Sequence, residues 1–285
     1  MKLGLFALNM GPATAEHVTT VAGAAEEAGL ESVWAGEHVV LPAPRVPPSP
    51  MDPTDQSLDP LFALAWAGAA TRTLRLGTGI VILPQRNPVV LAKELASLDV
   101  LTDGRVILGI GAGYLEPEFR AIGANFPDRG AVTDEHLAAM RSLWHDAAPA
   151  FHGRFVDFAG VDAHPRPVQR PIPVTVGGHT APSYRRAVTV GQGWYGFFRT
   201  PDDVAADVAG LREAADRYGR PSDLGELELT VTPRTALTPE LVSAYAALGV
   251  HRLVVLPGGD MRSLGAGTDV FLQTIEDAVA ATADR

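Results

Sequence analysis

The 285-residue chain is 46% hydrophobic and 20% charged, an ordinary globular balance, with length for two average domains or one large α/β barrel. Its formal net charge of −10 argues against a nucleic-acid partner, which needs a basic surface. With no cysteine there is no disulfide, thiolate metal site or thiol nucleophile, and without a run of about 18 apolar residues no membrane span is expected.

Taken along the chain, short apolar runs at 2–8, 32–37, 75–83, 105–111, 172–177, 193–198, 226–232 and 252–256 read as strands. Met1-Lys2 leads straight into the first, which leaves no room for a signal peptide and points to the cytoplasm. Helix starts follow most of the runs. Asp59-Pro60, Asn87-Pro88, Thr200-Pro201 and Thr238-Pro239 each place a capping side chain before a proline at the first helical position. Ala181-Pro182-Ser183 is a weaker version, and Thr14 and Thr133 can cap the segments without proline. Gly29, Gly191 and Gly249 sit where helices stop.

Eight strand-helix units suit a (β/α)8 TIM barrel, read here as a single domain over 1–285 with insertions in its βα loops. A doubly wound sheet needs a Gly-x-Gly-x-x-Gly turn after its first strand, and Asn9-Met10-Gly11-Pro12 stands there instead. The Pro-rich stretch 42–58 is a long βα loop expected over the barrel mouth. Residues 114–129 read as a second loop, and 151–158 as a small hairpin with a Gly turn.

Parallel barrels carry their reactive groups where strands emerge at their C-terminal ends. Trp34-Ala35-Gly36-Glu37-His38 ends one run in a charged pair. A lone strand histidine is ordinarily structural. His38, placed before a long loop, suits acid–base work, because imidazole titrates near neutral pH. Glu37 and His38 point to opposite faces while the strand lasts. Two neighbouring runs end in small residues, at Thr78-Gly79-Ile80 and at Gly109-Ile110-Gly111-Ala112-Gly113. Such gaps let a planar ring lie against backbone. Val176-Gly177-Gly178-His179-Thr180 precedes a helix start and reads as an anion site of amides, a hydroxyl and a helix N-terminus. The remaining histidines lie on helices or loops without metal spacing, and no Gly-x-Ser-x-Gly elbow occurs.

In their order and spacing these stretches resemble the bacterial luciferase-like flavin and deazaflavin oxidoreductases over nearly the whole chain. The matching residues are 32–38, 76–84, the helix from Asn87-Pro88 through Leu101, Gly104-Arg105-Val106, 109–113 and Val176-Gly177-Gly178. The segments 83–88 and 129–135 look most like the branch dependent on the deazaflavin coenzyme F420. The resemblance implies a (β/α)8 barrel of this type, usually a homodimer, acting on a small organic molecule. It implies a cofactor ring backed by a bulge, often a non-prolyl cis peptide, at Gly79-Ile80. His38 then corresponds to the active-site histidine and Glu37 to its acidic neighbour. Thr78, Gly79, Ile80, Gly111, Gly113, Val176, Gly177, Gly178 and Thr180 would bind the cofactor, with Gly177 and Gly178 on its phosphate. Tyr114 replaces the acid of sugar-oxidising relatives and Pro42 their tryptophan, which argues against a sugar. The Glu-His pair, common in flavin branches, keeps FMN as the alternative cofactor and an oxygen-using monooxygenase as the alternative activity. A non-catalytic cofactor-binding protein is a third reading.

Overall fold

All eight apolar runs form strands in a computed structural model that describes residues 1–283. The chain begins β1 (Lys2–Leu5), α1 (Ala15–Glu27), β2 (Ser32–Ala35), α2 (Pro60–Ala70) and β3 (Arg75–Thr78), with a short continuation β4 (Val81–Ile82). Next are α3 (Pro88–Leu101), β5 (Val106–Gly111), α4 (Glu116–Ala121), α5 (Arg129–His145) and the hairpin β6 (Phe151–His152) and β7 (Asp157–Phe158). The last part is β8 (Val174–Gly177), α6 (Ala181–Val190), β9 (Gly193–Arg199), α7 (Pro201–Tyr218), β10 (Glu228–Pro233), α8 (Pro239–Ala247), β11 (Arg252–Val255) and α9 (Thr268–Ala280).

The strands pair in parallel in the ring β1-β2-β3-β5-β8-β9-β10-β11, and β1 closes on β11 with Lys2 opposite Arg252 and Leu5 opposite Val255. Eight parallel strands with helices outside make a (β/α)8 barrel. In the first strands the last residues of the run leave the ladder to shape the mouth: β1 ends at Leu5 and β2 at Ala35. After β1 the chain turns away at Ala7, whose φ is +65°.

Local chemistry explains the helix starts. Thr14, Asp59, Asn87, Thr200 and Thr238 each accept an amide hydrogen bond from the first turn of the helix that follows. Thr133 does not cap. It lies inside α5, and its hydroxyl donates back to the Arg129 carbonyl at 2.7 Å. Gly29 and Gly249 end their helices at φ near +79° and +81°, but Gly191 ends α6 in extended backbone, so left-handed freedom is not its role.

The barrel is filled, not hollow. Trp34 is fully buried and stacks at 5.3 Å on Tyr195; Gly77 has no room for a side chain, because its Cβ would fall 2.5 Å from the indole. At the N-terminal end of the barrel Arg252, fully buried, is held by Glu31 at 2.8 Å, by Glu228 and by Thr230. These bonds tie β11 to β10 and to the residue before β2 at that end, and barrels of this kind build their sites at the opposite mouth. No helix among the described residues is long and apolar enough to cross a membrane.

Candidate active site

Alternation along β2 decides which residues reach the mouth. Trp34 packs inside the barrel, so Gly36 and then His38 follow on the same side, one layer higher each time. A Cβ on Gly36 would meet the Phe6 ring at 3.0 Å, so this glycine leaves space for that aromatic. Phe6 in turn packs on Phe197 of β9, with ring centres 4.9 Å apart. Together they form an apolar layer beside the end of β2.

His38 is held from two sides. Its Nδ1 lies 3.1 Å from Glu118 Oε2, and its Nε2 lies 3.4 Å from the Tyr114 hydroxyl. Glu118 is fully buried on α4, and its other oxygen accepts the Val39 amide at 2.5 Å. Burial and then the charge of Glu118 push the Tyr114 phenol up to about 12, so it keeps its proton at neutral pH.

Glu37 points outward from the same strand end. Its carboxylate accepts the Ile82 amide at 2.5 Å and the Arg86 Nε at 2.7 Å, and Arg86 also reaches Asp59, the cap of α2. Burial pulls the Arg86 guanidinium down, but Glu37 and Asp59 more than offset this and hold it above its ordinary value. Burial pushes the Glu37 carboxyl up against the pull of Arg86.

Between β3 and β4 the chain bulges at Gly79-Ile80, whose peptide bond is cis. There the Thr78 hydroxyl replaces the missing ladder contacts, accepting the Gly109 amide at 2.8 Å and donating to the Gly109 carbonyl at 2.7 Å. Ile80 swings into the mouth over three glycines. A Cβ at Gly111, Gly177 or Gly109 would lie 2.6, 2.9 or 3.4 Å from its side chain. The gaps between the strand ends therefore seat Ile80 itself, not open backbone.

The loop after β8 is open. Gly178 has φ +116°, and a Cβ there would come within 3.1 Å of Ser183. Its amide donates to the Tyr195 carbonyl at 3.3 Å and its carbonyl accepts the Trp194 indole N–H at 2.7 Å. Thr180 begins α6, its amide donating to the Ser183 hydroxyl at 2.9 Å. Gly177 and Gly178 bring side-chain-free backbone up to a helix N-terminus, the kind of place where anions bind, although the Gly178 and Thr180 amides already have partners within the protein.

A family model described as luciferase-like monooxygenase matches residues 1–262. The chain belongs to that family. An uncharacterized protein of Mycobacterium tuberculosis is 33% identical over 244 residues, covering 81% of this chain and 83% of its own length. An F420-dependent glucose-6-phosphate dehydrogenase of Kineococcus radiotolerans is 31% identical, covering 73% of this chain and 60% of that protein. Among solved structures, the monooxygenase RslO1 from Streptomyces bottropensis superposes with a TM-score of 0.79 at 23% identity, covering 100% of this chain and 99% of that one. The last likeness speaks to the barrel fold.

Within this luciferase-like barrel the structure brings His38, Gly79, Ile80, Gly111, Gly177, Gly178 and Thr180 to the C-terminal ends of the strands. Thr78 and Val176 are buried, the hydroxyl of Thr78 being used within the bulge. Gly113, at φ +78°, turns the chain between Ile82 and Phe119, and its carbonyl accepts the Arg129 side chain at 3.2 Å. Sequence reasoning did not find Glu118. The stretch 114–129 was expected to be a loop, yet it carries the short helix α4 that delivers this carboxylate to His38. A Glu two positions after another, beside a Pro, gave no signal of its own. Its partner lies 80 residues away.

Proposed function

We propose that the chain is an oxidoreductase that moves a hydride between the deazaflavin coenzyme F420 and a small organic substrate. The observation that carries this reading is His38, oriented by Glu118 and Tyr114 at a barrel mouth next to the Gly79-Ile80 bulge. The F420-dependent name of one relative supports the choice of cofactor.

In this reading Gly177, Gly178 and Thr180 hold the phosphate, and Gly79 and Ile80 back the ring. The bound deazaflavin supplies the hydride acceptor or donor. His38 takes the proton that a substrate hydroxyl loses as its carbon gives up hydride, or returns it to a carbonyl oxygen in the reverse direction. Phe6, Phe197 and Ile80 give the substrate an apolar surface and keep water from the reacting carbon. Fluorescence-quenching titration of the purified protein with F420 and with FMN tests the reading. Tighter binding of F420 is expected. Tighter binding of FMN overturns it and favours an oxygen-using monooxygenase, since oxygen activation needs a true flavin.

A further inference from the structure

We propose that Glu118 is the positioning residue of this site: it holds His38 with its proton on Nδ1 and so leaves Nε2 as the base that faces the substrate. The proposal rests on the reading of His38 as the acid–base group, but it is tested on the protein without cofactor.

Three contacts make the argument. The two oxygens of Glu118 are divided between fixed donors. Oε1 takes the Val39 amide at 2.5 Å, a backbone donor that cannot turn away, and Oε2 faces His38 Nδ1 at 3.1 Å. A carboxylate oxygen only accepts, so the ring nitrogen opposite it must carry the hydrogen. With the proton on Nε2 instead, two lone pairs would face each other across that distance, in a place where Glu118 is only 1% exposed and water cannot intervene.

On the far side of the ring stands the Tyr114 hydroxyl, 3.4 Å from Nε2. The phenol keeps its hydrogen at neutral pH, because burial and the charge of Glu118 both oppose its loss. It can therefore donate to a ring nitrogen without hydrogen, although its oxygen is also able to accept from an N–H. Glu118 demands this tautomer, and Tyr114 is compatible with it. The pair that results is an accepting nitrogen beside a donating phenol. That pair complements a single hydroxyl group, which gives its hydrogen to Nε2 and accepts one from Tyr114.

Glu118→Gln separates this role from simple packing, because it keeps the shape and changes the acceptor count. A glutamine has one acceptor oxygen for two donors. The Val39 amide is fixed, so it claims that oxygen, and the side-chain NH2 then faces Nδ1 and forces the hydrogen onto Nε2. The measurement is a long-range ¹H–¹⁵N correlation spectrum of the apo protein with ¹⁵N-labelled histidine, His38 being assigned by its loss in His38→Ala. The expected result is an Nδ1–H, Nε2-unprotonated ring in the native protein and the opposite tautomer in Glu118→Gln. A native spectrum with Nε2–H overturns the proposal even if the variant does not fold. So does a folded Glu118→Gln variant that keeps hydrogen on Nδ1. If the tautomers behave as expected but His38→Ala turns over normally, the functional reading fails while the positioning by Glu118 stands.

Discussion

His38 combines three properties on one side chain: a place at the mouth, a ring held by Glu118 and one nitrogen on the Tyr114 side away from that carboxylate. His38→Ala is therefore expected to keep the fold and the cofactor and to lose turnover by about 10²–10⁴, the usual contribution of a general acid or base. Measured kcat within a factor of about 3 of the native value, on this scale a negligible loss, would show a structural role. The glycines around Ile80 give a sharper contrast. At Gly109 a Cβ would lie 1.8 Å from the Thr78 carbonyl oxygen, a backbone atom that cannot yield. Gly109→Ala is expected to destabilise by about 3 kcal/mol or to prevent folding. At Gly111 the obstacle is the end of the Ile80 side chain at 2.6 Å, which can rotate. Gly111→Ala is expected to cost about 1 kcal/mol and to weaken cofactor binding instead, by pushing Ile80 into the mouth. Thermal melting and cofactor titration of the two variants check the split. The position of His38 was legible because strand ends are where a barrel exposes polar groups. What the glycines accommodate was not, because the sequence cannot tell an absent side chain that welcomes a ligand from one that makes room for Ile80.

The strand-helix units themselves were legible from apolar runs followed by a capping residue and proline. Those signals are local and survive whatever the rest of the fold does. The helix α4 was not, since six residues with a proline in the first turn carry too little periodicity to distinguish helix from loop. Joints between elements were equally invisible, and Arg86 is the clearest. It links the end of β2 through Glu37, the turn after β4, and the N-terminus of α2 through Asp59. Glu37 is 1% exposed at its side chain. Arg86→Ala leaves that carboxylate buried without its cation, and a loss of about 3 kcal/mol in urea unfolding is expected. An unchanged midpoint would mean that water reaches Glu37 once the guanidinium is gone.

Acid sensitivity belongs to the folded molecule as a unit, because its sources are dispersed. Burial holds His17, His136 and His145 below their ordinary value of 6.5. In each case the unfolded chain binds a proton that the folded chain refuses, between the depressed folded value and 6.5. Their contribution is complete above that value and is lost as the pH falls through the window. The carboxylates held low by Arg252, Glu31 and Glu228, act only below their ordinary value of 4.5, while Glu37, pushed up by burial, opposes the loss just above it. Thermal melting at about pH 7.5 and about pH 5.5 should show a lower midpoint in acid. A flat profile would mean that the three histidines titrate normally in the fold. The closure of β1 on β11 has a further consequence, for synthesis. The strand made first has one of its two neighbours made last, so about 250 residues of nascent chain leave the ribosome before the ring can shut. Until then β1 keeps an unpaired edge, and so does each newest strand in turn. A circular permutant that joins the chain ends, and opens the ring elsewhere, would make the two strands neighbours in time as well as in space.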